Sequence, residues 1–428
     1  MKRLFVAGTV ACIMIFVGSV SLFAGGSKEQ KAAPTVQPVT IEVWNYATGE
    51  EQKTFQAAYD EFNGAQTAVK INATWGVDNQ KIITSISGGS PPDVVDLGGA
   101  DPLASWAAKG ALLSLNSRIK ASNLDTNAFV PAALSYGKSG DTYYGITGAF
   151  DGLFLYYNKD LLAAAKIAPP TTIAELDKAA EALTKESGGK IAQLGFSPTG
   201  GISGDDGLQV WAYTFGGDWW NPTTKAVTPT EPGNIAALKW EMSYYKKYGA
   251  QALNDFNSAS YGSGPLGSDP FAFGKVAMEV GGEWLNAFLH NYAPNVNFGE
   301  VPLPVLKAGN KPRMYPNGDV WIIPATAKNP DAAWAFIMWL EQPKHYAPIL
   351  NQMVNLPQFK SLYQDVSWAG GPLQQSVKLQ NQYEMVAMPQ LANFVKYESL
   401  IANAEQQATN GKMTAEQALG QIAGELGQ

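Results

Sequence analysis

The chain has 428 residues, of which 37 are acidic and 30 basic, giving a formal charge of −7 at neutral pH, with 11% aromatic side chains. An acidic balance of this kind argues against a polyanionic partner, so no nucleic acid is expected. Without a leader, roughly 400 residues would remain, more than one ordinary core holds, and two lobes are expected.

At the N-terminus, Lys2 and Arg3 precede an apolar run over residues 4–17 that is too short to span a membrane. Ala24-Gly25-Gly26 then offers small residues for cleavage before Ser27. Residues 1–26 therefore read as a secretory signal peptide, and residues 27–38, polar and punctuated by proline, as a disordered leader. The single cysteine, Cys12, lies inside the apolar run, whereas a lipoprotein needs cysteine at the cleavage point. The mature chain is expected to be exported to the periplasm, soluble, free of disulfides, monomeric and not membrane-anchored. After cleavage 28 basic residues face 37 acidic ones, a net charge of −9, and Arg118 and Arg313 are the two remaining arginines. Carboxylate and phosphate recognition draws on Arg forks, so a strongly anionic ligand is disfavoured too.

Residues 39–44 alternate as a strand and end in a polar, Gly-containing loop. Phe55, Tyr59 and Phe62 follow at helical spacing, stopped by Asn63-Gly64. A second strand spans residues 69–75, and Ile82, Ile83 and Ile86 mark a helix closed by Gly88-Gly89. Pro91-Pro92 introduce a third strand at residues 93–97, and Asp101-Pro102 reads as an N-cap and N1 pair. This alternation predicts an α/β lobe with a largely parallel sheet. Thr172 and Glu175 form a capping box for a helix with Ile173, Leu176, Ala180 and Leu183 on one face. Another helix is expected over residues 232–248, and strands over 276–280 and 320–323. Asn329-Pro330 opens the helix that carries Trp334 and Ile337. The C-terminus closes with helices, one ended by Gly411 and the last capped by Thr414 with Gln417. No repeat of fixed period is present.

Catalytic motifs are sparse. His290 and His345 are too few and too isolated for a metal cluster or a triad; the first reads as a helix-surface residue and the second as part of a polar turn. Gly262, Gly264 and Gly267 spell G-x-G-x-x-G, but Pro265 interrupts it and no strand precedes it, so it reads as a loop. Asp205-Asp206-Gly207 lacks the regular carboxylate spacing of a calcium loop. No catalytic residue, cofactor or metal is assigned, and a carboxylate pair for glycoside hydrolysis has no positive support.

What remains is a gathering of aromatics and carboxylates at strand ends, where open α/β sheets place the ligand crevice. Trp44 and Tyr46 lie at the end of the first strand, Trp75 ends the second, and Trp284 follows the strand that leads into Gly281-Gly282. A neutral sugar suits such a set, since its C–H faces lie flat on aromatic planes and its hydroxyls need fixed acceptors. Trp284 has the strongest case, because the first helical turn after two glycines projects outward; Gly282 would clear space, with Glu283 beside it. Trp44 and Trp75 read equally well as closing the ends of the sheet core, and Asp101 equally as a cap. Trp219 and Trp220 face opposite ways in a strand, and Trp219 is taken as the cleft-facing one. Trp106 with Leu103, and Trp334 with Ile337, read as core.

The order and spacing of several segments together carry a resemblance. They are VTIEVWN, SGGSPPDVVDL with DPLASWAAKGALLSL, YYGITGAFDGLFLYYNKDLL followed by PPTTIAELDKAAEALT, FGGDWWN, FGKVAMEVGGEWLNAF, NVNFGEVPLP and AAWAFIMWL. The chain resembles the solute-binding proteins of bacterial sugar ABC importers, of the maltose- and maltodextrin-binding type, over essentially its mature length. The resemblance implies a two-lobed α/β periplasmic-binding-protein fold of type II, with mixed, mostly parallel sheets, flanking helices and three hinge crossings. Residues 39–147 and 319–372 would form the N-terminal lobe, and residues 148–318 and 373–428 the C-terminal lobe. The sugar would lie between them and hinge closure would bury it.

By the same resemblance, Trp284 matches the stacking tryptophan of an AM-x-x-x-G-x-W pattern, and Asp151, six residues before Tyr157, a ligand carboxylate. Glu50 falls near another contact, in the loop after the first strand, and Asp319 opens the segment that returns to the N-terminal lobe. The family's C-terminal aromatic pair has no counterpart at Phe394-Val395-Lys396, which argues against a long malto-oligosaccharide. The expected partners are a small-molecule carbohydrate and inner-membrane ABC permease subunits. An exported carbohydrate-active enzyme on a similar scaffold, and a sugar sensor subunit for a chemoreceptor, are the alternatives.

Overall fold

The structure, a computed structural model, describes residues 38–188, 190–201, 207–261, 269–314, 317–386, 389 and 391–427. The signal-peptide and cysteine readings, most of the leader, the glycines of G-x-G-x-x-G and the Asp205-Asp206 pair lie outside the described residues. Ten strands matter for the site. They are β1 (Val39–Asn45), β2 (Val69–Thr74), β3 (Val94–Leu97), β4 (Gly145–Thr147), β5 (Ala149–Phe150), β6 (Leu153–Asn158), β7 (Met278–Gly282), β8 (Phe298–Pro302), β9 (Val320–Ile322) and β10 (Leu356–Pro357).

The first sheet has the order β2-β1-β3-β9-β4. β1 runs parallel to β2 and β3, while β9 is antiparallel to β3 and β4. Parallel pairing in this sheet is thus confined to the first three strands. β9 reverses it because the chain returns to this sheet from elsewhere. Helices α1 (Gly49–Ala65), α2 (Asn79–Ser87) and α3 (Leu103–Ala108) follow β1, β2 and β3 in turn. α1 buries Phe55, Ala58, Tyr59 and Phe62, the stripe that a 3.6-residue period sets against a sheet. A second sheet, β7-β6-β8, is antiparallel throughout. β5 and β10 form a short antiparallel pair of their own.

The remaining helices used below are α4 (Ile173–Leu183), α5 (Gly207–Thr214), α6 (Pro232–Tyr248), α7 (Ala250–Ser260), α8 (Trp284–Tyr292), α9 (Pro330–Leu340), α10 (Pro343–Met353), α11 (Gly371–Gln380), α12 (Phe394–Thr409) and α13 (Ala415–Leu426). Both expected capping boxes, Thr172 with Glu175 on α4 and Thr414 with Gln417 on α13, are formed. With the clusters on the two faces of the first sheet taken together as one core, buried side chains change core three times along the chain. Phe150 packs on the first sheet and Phe154 in the second core; the switch reverses between Met314 and Val320, and recurs between Val377 and Leu379. The last switch falls within α11, so residues on either side of the expected 372/373 border share one helix. Trp106 and Trp334 are buried as expected.

Two local readings change. α3 starts at Leu103 with Pro102 at the N-cap and no side-chain cap bond, so Asp101 does not cap it and sits in the preceding turn. His345 is not in a polar turn: it lies in α10, buried, with its ring stacked on Trp339 at 3.7 Å and Nδ1 3.0 Å from Glu61. Among the described residues no helix is long and apolar enough to cross a membrane.

Candidate ligand-binding site

Register alone brings one set of residues to a common edge. Val320 pairs with both Leu97 and Thr147, so the start of β9 meets the carboxyl ends of β3 and β4. Asp319 and Gly148 therefore stand at the same edge as Tyr46, which follows β1. Beneath it, buried Asn45 ties the edge down: Nδ2 donates to Asp96 Oδ2 at 2.8 Å and to the Tyr59 hydroxyl at 3.1 Å, while Oδ1 accepts from the Ala47 amide at 2.7 Å. Tyr46 is half-buried and lies flat on Gly98, where a Cβ would come 3.0 Å from its ring. A side chain at position 98 would have to push the ring back by a few tenths of an ångström.

Asp319 is buried, sits close enough to Tyr46 for the two to interact electrostatically, and its Oδ2 has no partner among the described residues. Asp151 lies across from it at the crossover between the cores. Its amide donates to the Asn317 carbonyl at 2.8 Å, and its carboxylate accepts from Asn355 Nδ2 at 2.9 Å. Glu283, fully buried, reaches this crossover from the N-cap of α8. It accepts from the amides of Gly152 at 2.8 Å and Leu356 at 3.2 Å, and from Asn355 Nδ2 at 3.3 Å. One carboxylate thus joins the second core to β10 and to the crossing strand.

Burial raises the pKa of Asp319, Asp96, Glu283, Asp151 and Glu51 above the ordinary carboxylate range. Their own charges add to it, Asp151 acting on Asp319, Glu283 and Glu51, and Asp319 on Asp96. None of the five is in an ion pair among the described residues; the bridges present join other groups. The site is an array of hydrogen-bond acceptors with no cation among them, suited to a ligand that donates hydroxyls and carries no negative charge. No group of three or more His, Cys, Asp or Glu among the described residues is placed to hold a metal ion.

Trp284 opens α8 one residue after Glu283 and is half-buried, its inner face against the second core. Gly281-Gly282 serve this helix start directly. A Cβ on Gly282 would stand 2.1 Å from the indole Nε1, and one on Gly281 2.6 Å from Leu285. The glycines clear room for the tryptophan itself. Trp44 is half-buried under Lys81, whose Nζ sits 5.2 Å over the ring, and Trp75 stacks on Tyr59 at 5.2 Å and 17°. Each closes a sheet end while keeping part of its surface open. Asp101 meets Asn317 and Tyr136 around Gly99, with its Oδ2 3.4 Å from where a Cβ of Gly99 would be.

Two expected residues point elsewhere. Trp219 is 1% exposed, with Nε1 donating to the Gln209 carbonyl at 3.0 Å and its ring edge-on to Tyr397, so it offers no face to a ligand; Trp220 is the half-buried member of the pair. Burial of an apolar ring outweighed the turn's apparent exposure. Glu50 is exposed and pairs with Lys53 at 2.6 Å, whereas its neighbour Glu51, half-buried, is the one near enough to Asp151 to be raised by its charge. The sequence reading missed Glu51, Asp96 and Asn355. Asp96 had a signal, an acid inside the apolar strand Val94–Leu97. Asn355 had none.

The profile of the family described as Bacterial extracellular solute-binding protein matches residues 46–347. The chain is 27% identical over 371 residues to a maltooligosaccharide ABC transporter solute-binding lipoprotein of Streptococcus pneumoniae (strain ATCC BAA-255 / R6), covering 83% of this chain and 80% of the relative. It is 28% identical over 263 residues to the maltodextrin-binding protein MdxE of Bacillus subtilis (strain 168), covering 59% of this chain and 56% of that one. Among solved structures, CpMnBP1 with mannotriose bound superposes with a TM-score of 0.79 at 30% identity, over 90% of this chain and 99% of that one. The GacH receptor of Streptomyces glaucescens, solved unliganded and with acarbose, shares the fold at a TM-score of 0.74 and 22% identity, over 91% and 97% of the two chains. With the sheet order, the three core switches and this match over most of its length, the chain belongs to the bacterial extracellular solute-binding proteins and has their type II fold.

Proposed function

We propose that this protein is the substrate-binding component of an ABC importer and captures a short neutral oligosaccharide between its two cores. The observation that carries the reading is the acceptor array at the crossover. Asp319, Asp151 and Glu51 stand together with no cation among them, flanked by the half-buried rings of Tyr46 and Trp284. A sugar's hydroxyls match the carboxylates and its C–H faces match the rings. The two bodies that close on it about the crossings are residues 39–147 with 319–377 and residues 148–318 with 379–428, the last border moved to where the buried side chains change core within α11. Within the site, Trp284 supplies the stacking face, Tyr46 a second ring, and Asp319, Asp151 and Glu51 the acceptors; Glu283 acts through the backbone it holds.

No bond is made or broken; the closed complex is delivered to inner-membrane permease subunits. The names of the relatives support the sugar class, and the mannotriose-bound structure, which this chain nearly spans, favours two or three units of a mannose-based ligand for the first trials. The pneumococcal relative is named a lipoprotein. For this chain, soluble export to the periplasm rests on Cys12 lying within the apolar run.

The test is a thermal-shift screen over mannose-, glucose- and galactose-based di- and trisaccharides, followed by titration calorimetry. A ligand that binds only the native state raises the melting midpoint. Trp284→Ala is expected to abolish most of the affinity. Product from prolonged incubation with the bound sugar, or no shift with any sugar, would overturn the reading.

A further inference from the structure

A cavity lies in the lobe of the antiparallel sheet, between α7 and the C-terminal half of α12, and shares no residue with the crossover site. Its volume of 660 Å³ falls within the range of small-molecule sites, about 300–1,000 Å³. Thr199, Gly200 and Gly201 form one wall, and the glycines have structural work there. A Cβ on Gly200 would stand 2.7 Å from the Tyr261 ring, and one on Gly201 2.9 Å from Glu279.

The chemistry of the lining is uniform. Asn254, Asn257 and Asn403 present amides, each able to donate and to accept. Tyr245 and Tyr261 add rings with hydroxyls already committed, Tyr245 to Thr199 Oγ1 at 2.7 Å and Tyr261 donating to Glu279 Oε2 at 3.0 Å. Asn254 Nδ2 is likewise fixed on Asn410 Oδ1 at 2.7 Å, so several polar groups are held before any ligand arrives. Glu405 also lines the cavity, and buried Glu241 lies beside it. Among the described residues no lysine or arginine lines the cavity. Acidic groups at the wall and beneath it exclude an anion, and paired donors and acceptors next to aromatic edges match vicinal hydroxyls.

We infer that this cavity is a second binding site, for a neutral polyhydroxylated molecule of one or two sugar units. The test uses mannobiose as the probe, titrated by calorimetry and by NMR shift mapping into the wild type, Trp284→Ala and Asn403→Trp. Asn403 is exposed on α12, so a tryptophan there fills the cavity mouth without entering a core, and Ala402→Trp is the alternative if that variant folds poorly. The wild type is expected to show binding that Asn403→Trp weakens by more than about tenfold, because filling a preformed pocket removes its contacts. The same binding should survive Trp284→Ala. That pattern supports the second site whether or not the crossover site accepts mannobiose. If no binding is sensitive to Asn403→Trp or Ala402→Trp, or all of it is lost with Trp284→Ala, the inference fails.

Discussion

Trp284 and Trp219 carry the same side chain into opposite surroundings, and the difference is measurable. Trp219 is sealed in the second core with its indole N–H satisfied, so Trp219→Ala should cost about 3–5 kcal/mol through the cavity it leaves. A urea titration reads that loss as a lower midpoint at unchanged slope. Trp284 is half-buried, so Trp284→Ala should cost less stability and more affinity. Equal losses of stability in the two variants would move Trp284 into the core. The acids of the first turn of α1 divide in the same way. Glu51→Gln is expected to weaken sugar binding measurably and Glu50→Gln to leave it unchanged, since Glu50 spends its charge on Lys53 in solvent. The reverse ranking in calorimetry would show that the helix presents its other edge to the ligand.

At the level of elements, what is local in the chain was legible and what is joined across it was not. The Thr172–Glu175 box closes over three residues and forms as read. Thr172→Ala should therefore lower stability by about 1 kcal/mol, checked by the denaturation midpoint. An unchanged midpoint would mean that packing of Ile173, Leu176 and Leu183 alone sets the helix start. Trp106 and Trp334 were likewise readable from helical spacing, and the βαβ alternation gave the parallel strands. The reversal at β9 depends on a segment far along the chain, so no local pattern announces it. The Glu283 tie is beyond reading for the same reason. Its partners, Gly152, Asn355 and Leu356, lie 131, 72 and 73 residues away. Glu50 and Glu51 show the limit at its finest, because adjacent residues on a helix differ by 100° and only the docked helix decides which one faces inward.

Across the whole molecule, the crossover site sets function against stability. Asp319, Asp96, Asp151, Glu283 and Glu51 are pulled from water where two cores meet, and among the described residues none has a cation to offset the cost. Each has a native pKa above its unfolded value, so between those two values the native state binds more protons than the unfolded chain. Their contribution to stability is therefore greatest below the ordinary carboxylate range, about pH 4, and is lost as pH rises through the elevated native values. Asp319 contributes with Oδ2 unpartnered among the described residues, so Asp319→Asn removes a buried charge while keeping the shape. The variant should be more stable than the wild type near pH 8, by on the order of 1 kcal/mol, and about equal to it near pH 4. It should also bind sugar more weakly at both ends, because a fixed acceptor is gone. Urea midpoints measured across that pH interval decide the matter. Parallel curves for variant and wild type would mean that Asp319 does not titrate with folding, and its role in the acceptor array would have to be given up.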